Sequence, residues 1–186
     1  NYNFGGAANT TKMYGCDGVN QCFEFNGTAF IPISTGMSND APEHITAFKK
    51  HLFISIAGSI QHSGIGNPYT WSPVTGAAEL AVGDQCTGFM LQTGGTAVGT
   101  LVIFNRNQTY ILYGNDSSDW NLVLFNPEAG SIEWTQQFIG QGILLDDRGL
   151  TTVGASQNFG NFTGATISRK VDPFLRDLMD SASASC

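Results

Sequence analysis

Apolar positions in this chain come in short blocks set apart by glycine, asparagine and aspartate. The clearest pair is Leu101–Phe104 and Thr109–Tyr113, joined by the polar Asn105-Arg106-Asn107-Gln108 and bounded by Gly99 and Gly114. Runs rich in β-branched and aromatic residues around a short polar turn predict an antiparallel hairpin. Asparagine also accepts the left-handed backbone that such turns require. The runs are nearly continuous rather than alternating, which predicts a hairpin covered on both faces and central in its sheet.

The pattern recurs. Leu52–Ile56 and Ser59–His62, around Ala57-Gly58, have the same outline, and one constant offset carries Leu52 onto Leu101, Ile54 onto Ile103, Trp71 onto Trp120 and Val74 onto Val123. A third copy runs through Gly142–Leu145, Asp146-Asp147-Arg148-Gly149 and Leu150–Val153; an earlier one is Cys22–Phe25, Asn26-Gly27 and Thr28–Ile31. The predicted hairpins therefore lie near 22–33, 52–62, 101–113 and 143–153. Hairpins repeated at roughly 40–50 residues suggest propeller blades of four strands each. A β-sandwich is the competing arrangement, and the matched tryptophans favour the propeller. The expectation is a single all-β region over 1–186, a β-propeller-like array that belongs to a larger propeller.

Between the hairpins, Trp120–Phe125 alternates as a strand, and Ser131–Ile139 and Ala165–Ile167 are further strand candidates. Pro32 weakens the end of its strand by removing a backbone donor. Glu43–Lys50 has the composition of one helical turn. Only 171–179 reads as an amphipathic helix, with Val171, Phe174, Leu175, Leu178 and Met179 on one stripe. Asp172 is its expected N-cap and Pro173 its first helical residue. The stripe is expected to dock on the same chain.

Composition narrows the function. The chain has 186 residues, 23 glycines, 12% charged residues and a formal net charge of −7. An acidic balance argues against a general nucleic-acid-binding surface. No apolar run reaches the ~18 residues of a membrane span. Asn1 onward carries neither an initiator Met nor an apolar targeting segment, so the chain reads as an interior piece of a longer polypeptide. The four cysteines include no C-x-x-C pair; Cys16 and Cys22 are close enough in sequence for a disulfide, but reduced thiols are expected.

Little in the chain invites chemistry. Asp146-Asp147 resembles a carboxylate pair, but the two are adjacent on a turn, whereas glycosidic catalysis needs them about 5–10 Å apart across a sugar. Asp116 and Asp119 lack the rest of a calcium loop. His44, His51 and His62 stand in three separate contexts. The expectation is therefore no catalytic, cofactor-binding or metal-binding residues. Candidate contact residues sit in two loops, Ile65, Tyr69 and Trp71 in one and Asp116, Asp119 and Trp120 in the other.

Several phrases carry a resemblance: Met13-Tyr14-Gly15-Cys16-Asp17-Gly18-Val19-Asn20, Ser63-Gly64-Ile65-Gly66-Asn67-Pro68-Tyr69, Ile111-Leu112-Tyr113-Gly114 and Asp146-Asp147-Arg148-Gly149. They resemble the hairpin-repeat virion proteins of tailed bacteriophages, over most of 1–174. The resemblance implies a non-enzymatic structural subunit of the phage tail, a nozzle or tail-tube component located in the virion. Its implied partners are copies of itself in a ring and neighbouring tail proteins, with DNA only as passing cargo. The alternative is a receptor- or glycan-binding propeller module, in which Trp71, Trp120 or Tyr69 would stack on sugar rings.

Overall fold

The computed structural model describes residues 1–5, 11–92, 99–153, 167–168 and 170–183. Among the described residues, fourteen strands make four antiparallel sheets. The first holds β1 (Met13–Gly15), β2 (Cys22–Phe25) and β3 (Phe30–Ile33). The second holds β4 (His44–Phe48), β5 (His51–Ile56), β6 (Ser59–His62) and β7 (Ala78–Ala81). The third holds β8 (Cys86–Gln92), β9 (Thr100–Asn105), β10 (Thr109–Tyr113) and β11 (Asn121–Asn126). The fourth holds β12 (Gln137–Phe138), β13 (Gly142–Asp146) and β14 (Gly149–Thr152). Within every sheet the strands lie side by side in chain order. Among the described residues the sheets form no closed barrel or ring.

The four predicted hairpins are the second and third strands of the four sheets. The expected central position of Leu101–Tyr113 holds: β9 pairs with both β8 and β10. Alternate side chains of one strand serve two different cores, because successive residues point to opposite faces. Leu52, Ile54 and Ile56 pack with Cys22 and Ile33 of the first sheet. Phe53 turns the other way, into a core with Phe48, Ile60, Leu101, Ile103 and Leu112 between the second and third sheets. Val102 and Phe104 join Met90, Ile111, Leu144 and Val153 between the third and fourth. A strand buried on both faces has no polar positions to alternate with, which explains the continuous apolar runs.

Several expectations are corrected. Glu43–Lys50 is not helical: His44–Phe48 pairs with β5 across a two-residue turn at Lys49-Lys50. Both lysines have positive φ, 45° and 64°, as a tight type I′-like hairpin turn requires. No glycine or asparagine marks that turn, so composition alone read as helix. β3 begins two residues later than expected, because Phe25 pairs with Phe30 across a longer turn at 26–29. Pro32 lies within β3, tolerated because β3 is an edge strand. Ser131–Ile139 yields only the short β12. The offset matching Trp71 to Trp120 holds, both lying between the third and fourth strands of their sheets. It fails at Val74, which is in a 3-10 turn, whereas Val123 is in β11. Of the Ala165–Ile167 candidate, Ala165 and Thr166 lie outside the described residues, and Ile167 is in a bend.

The helix exists and is longer than expected, α1 (Asp172–Ser183). Val171, whose carbonyl accepts from the Leu175 amide, takes the capping position, one residue before the expected Asp172. Asp172 instead accepts a hydrogen bond from Ser168 Oγ at 2.9 Å, and Ser168 Oγ accepts from the Leu150 amide of β14. This polar tether holds the start of α1. Val171, Phe174 and Leu178 of its stripe remain exposed, so the expected docking on the same chain is not seen among the described residues. No described helix is long and apolar enough to cross a membrane.

Candidate functional site

The first strand of each sheet faces a common cavity. β8 lies against both β4 and β12. Cys16, just after β1, joins Glu43, His44, Phe89, Trp134 and Gln136 around a space of about 280 Å³. Sequence reasoning missed these first strands, whose side chains reach one place only because the sheets stack.

His44 is the buried member, 4% exposed. Its Nε2 lies 3.1 Å from Glu133 Oε1 and has no hydrogen-bond partner. Burial pushes His44 below the usual histidine range, against the opposing pull of Glu133 and Glu43. Trp134 stands beside it, ring centroids 4.4 Å apart, and is 66% exposed. Trp134 has φ 63°, a left-handed conformation that is costly for a bulky residue. The turn is held by Thr135 Oγ1 donating to the Ile132 carbonyl at 2.6 Å. Gln136 Nε2 donates to the Ile132 and Thr87 carbonyls and to Ser131 Oγ. Glu43 accepts from Gln85 Nε2 at 3.0 Å.

A second polar cluster is buried between the second and third sheets. His51 Nδ1 and His62 Nδ1 lie 2.6 and 3.0 Å from the Ser63 carbonyl, which only an N–H can satisfy. That tautomer leaves His62 Nε2 as the acceptor for Trp120 Nε1, at 3.1 Å. The histidines predicted to be scattered are therefore partly brought together, His51 and His62 with ring centroids 5.0 Å apart. Ser63 Oγ donates to the Gly64 carbonyl and accepts from the Leu52 amide, so it is bound into the backbone and not activated by either ring.

The cluster makes stability depend on pH. Desolvation lowers the pKa of His62 below its ordinary 6.5. A depressed histidine binds fewer protons folded than unfolded, so its stabilisation is full above about 6.5 and is lost as pH falls through the lower folded value. Protonation would also set an N–H against the Trp120 N–H. Urea unfolding between pH 7.5 and 5 is expected to show ΔG falling, by at most about 1.4 kcal/mol per pH unit for this one proton. His62→Gln should flatten that slope; an unchanged slope would assign it elsewhere.

The predicted contact residues divide. Ile65 and Tyr69 are exposed on their loop. Trp71 and Trp120 are partly buried: Trp71 packs against the core between the first and second sheets, and Trp120 against the core between the second and third. Trp71 Nε1 donates to the Pro68 carbonyl at 3.0 Å. Asp116 and Asp119 are turn-builders. Asp119 Oδ1 accepts from the Asn115 and Asp116 amides, and Asp116 Oδ1 from the amide and hydroxyl of Ser118. These bonds hold both carboxyls below the usual range. Asp146 and Asp147 share no site: Asp146 is buried, which raises its pKa, while Asp147 is exposed and pairs with Arg106. Cys16, Cys22 and Cys86 are free thiols, and Cys186 lies outside the described residues. No protein-family model and no curated protein matches the chain.

Proposed function

We propose that the chain is a β-propeller-like structural subunit of a phage virion, a tail nozzle or tail-tube component that assembles with its own copies into a ring around the DNA channel. The observation that carries this reading is the place of the two repeat tryptophans, each partly buried against the core between two successive sheets. In a glycan-binding module the same rings would line an open cleft. Two further features support it: each sheet is a meander of three or four strands in chain order, and their first strands gather at one cavity, as blades do around an axis. The acidic balance suits a conduit that DNA passes without being gripped, because phosphate affinity comes from clustered Lys and Arg.

The oligomeric state of the chain in an intact particle tests the proposal. A closed ring of copies surrounding the channel is the expected result. A monomer that binds a glycan, and loses that binding on Tyr69→Ala, would overturn it and favour the receptor-binding alternative.

A further inference from the structure

The cavity shared by the first strands holds a polar cluster that hydrogen bonding leaves incomplete. One ligand-type atom from each of Glu43, His44 and Glu133 lies within 4.8 Å of the others. His44 is 96% removed from solvent, and its Nε2 points into the cluster without a hydrogen-bond partner. With its proton on Nδ1, the neutral ring presents a lone pair at Nε2. That lone pair faces a carboxylate oxygen 3.1 Å away. Two acceptors at this distance repel unless a proton or a metal ion lies between them.

We propose that Glu43, His44 and Glu133 form a binding site for a divalent transition-metal cation, with zinc the ion best suited to their donors. The inference goes beyond the structural role proposed above and does not depend on it. The spacing fits: ligand atoms about 2.1 Å from a common ion, at 90–110° to one another, stand about 3.0–3.4 Å apart. Glu43, half-buried, would reach the ion by a change of rotamer that gives up its hydrogen bond from Gln85. One imidazole nitrogen and two carboxylates make a mixed donor set that zinc accepts, with water in the fourth position from the open cavity. The ion's charge offsets the two carboxylates. The ion would join the start of β4 to the segment entering β12, linking the second and fourth sheets across the cavity.

The test is a zinc titration of the 186-residue chain stripped with chelator, followed by calorimetry and by thermal unfolding. One saturable equivalent and a raised Tm are expected. His44→Gln and Glu133→Gln should each weaken zinc at least about 100-fold. Glu133 is partly exposed, so its variant remains informative if His44→Gln fails to fold. Absence of saturable binding would overturn the proposal and leave only an imidazolium–carboxylate pair. So would zinc binding that both Glu133→Gln and Glu43→Gln leave unchanged.

Discussion

Phe53→Ala is expected to destabilise the chain by about 3–5 kcal/mol, the cost of emptying a phenylalanine-sized space in a packed core. Phe53 is fully buried. Its ring stands 5.8 Å from Trp120, 6.1 Å from Phe48 and 5.3 Å from His62, measured between centroids. The cavity would therefore open beside the hydrogen bond from Trp120 to His62, one of the polar links between the second and third sheets. Those strands are fixed in register by their backbone ladders and cannot collapse to fill it. Urea unfolding followed by circular dichroism checks the magnitude. A loss under about 1 kcal/mol would mean that the two sheets are not packed on each other as described.

Gly130→Ala is expected to cost about 2–4 kcal/mol, by overpacking against backbone rather than by loss of contacts. The segment that leaves the third sheet passes under the β9–β10 turn. A Cβ on Gly130 would meet the backbone of Asn105 and Arg106, with the Asn105 carbonyl oxygen only 2.0 Å away. Two hydrogen bonds hold that approach, from the Ser131 amide to the Asn105 carbonyl at 3.0 Å and from Thr109 Oγ1 to the Ala129 carbonyl at 2.7 Å. Forcing the segment outward breaks them and shifts the turn that carries Glu133 and Trp134. Gly83→Ala is a useful control, since a Cβ there meets nothing, although the positive φ of 79° adds its own backbone strain. Thermal unfolding of both variants checks this, with the larger fall in Tm expected for Gly130→Ala.

These two positions differ in how readable they are. Phe53 sits in a run whose composition already announces a strand covered on both faces. Nothing around Gly130 in sequence distinguishes it from the other glycines, because what makes it necessary is a carbonyl from a distant turn.

The same division runs through the whole chain. The four hairpins were legible because a hairpin is local: its apolar runs, its turn residues and its register all lie within one short stretch. The Trp71–Trp120 correspondence was legible too, since a repeated unit repeats its core contacts. The helix was visible in the spacing of Val171, Phe174, Leu175 and Leu178, although that spacing could not tell whether its stripe would be covered. Asp146-Asp147 was read as a turn and not a carboxylate pair, and Asp147 does stand in the β13–β14 turn, whereas Asp116 and Asp119, expected as contact residues, are bound to amides of their own loop.

What the sequence could not contain was the meeting of residues from different sheets. β4 was misread because its turn uses two lysines in left-handed conformations, a choice stabilised by pairing with β5 and not by local propensity. His44 and Glu133 are far apart in the chain and touch only because β4 and β12 both flank β8. His51, His62 and Trp120 likewise meet across an interface between two sheets. Local sequence thus determined the strands, turns and repeat of this protein, since backbone pairing and side-chain alternation act over a few residues. Only the stacking of the sheets decided which polar side chains share a buried space, because burial and proximity are properties of the packed chain.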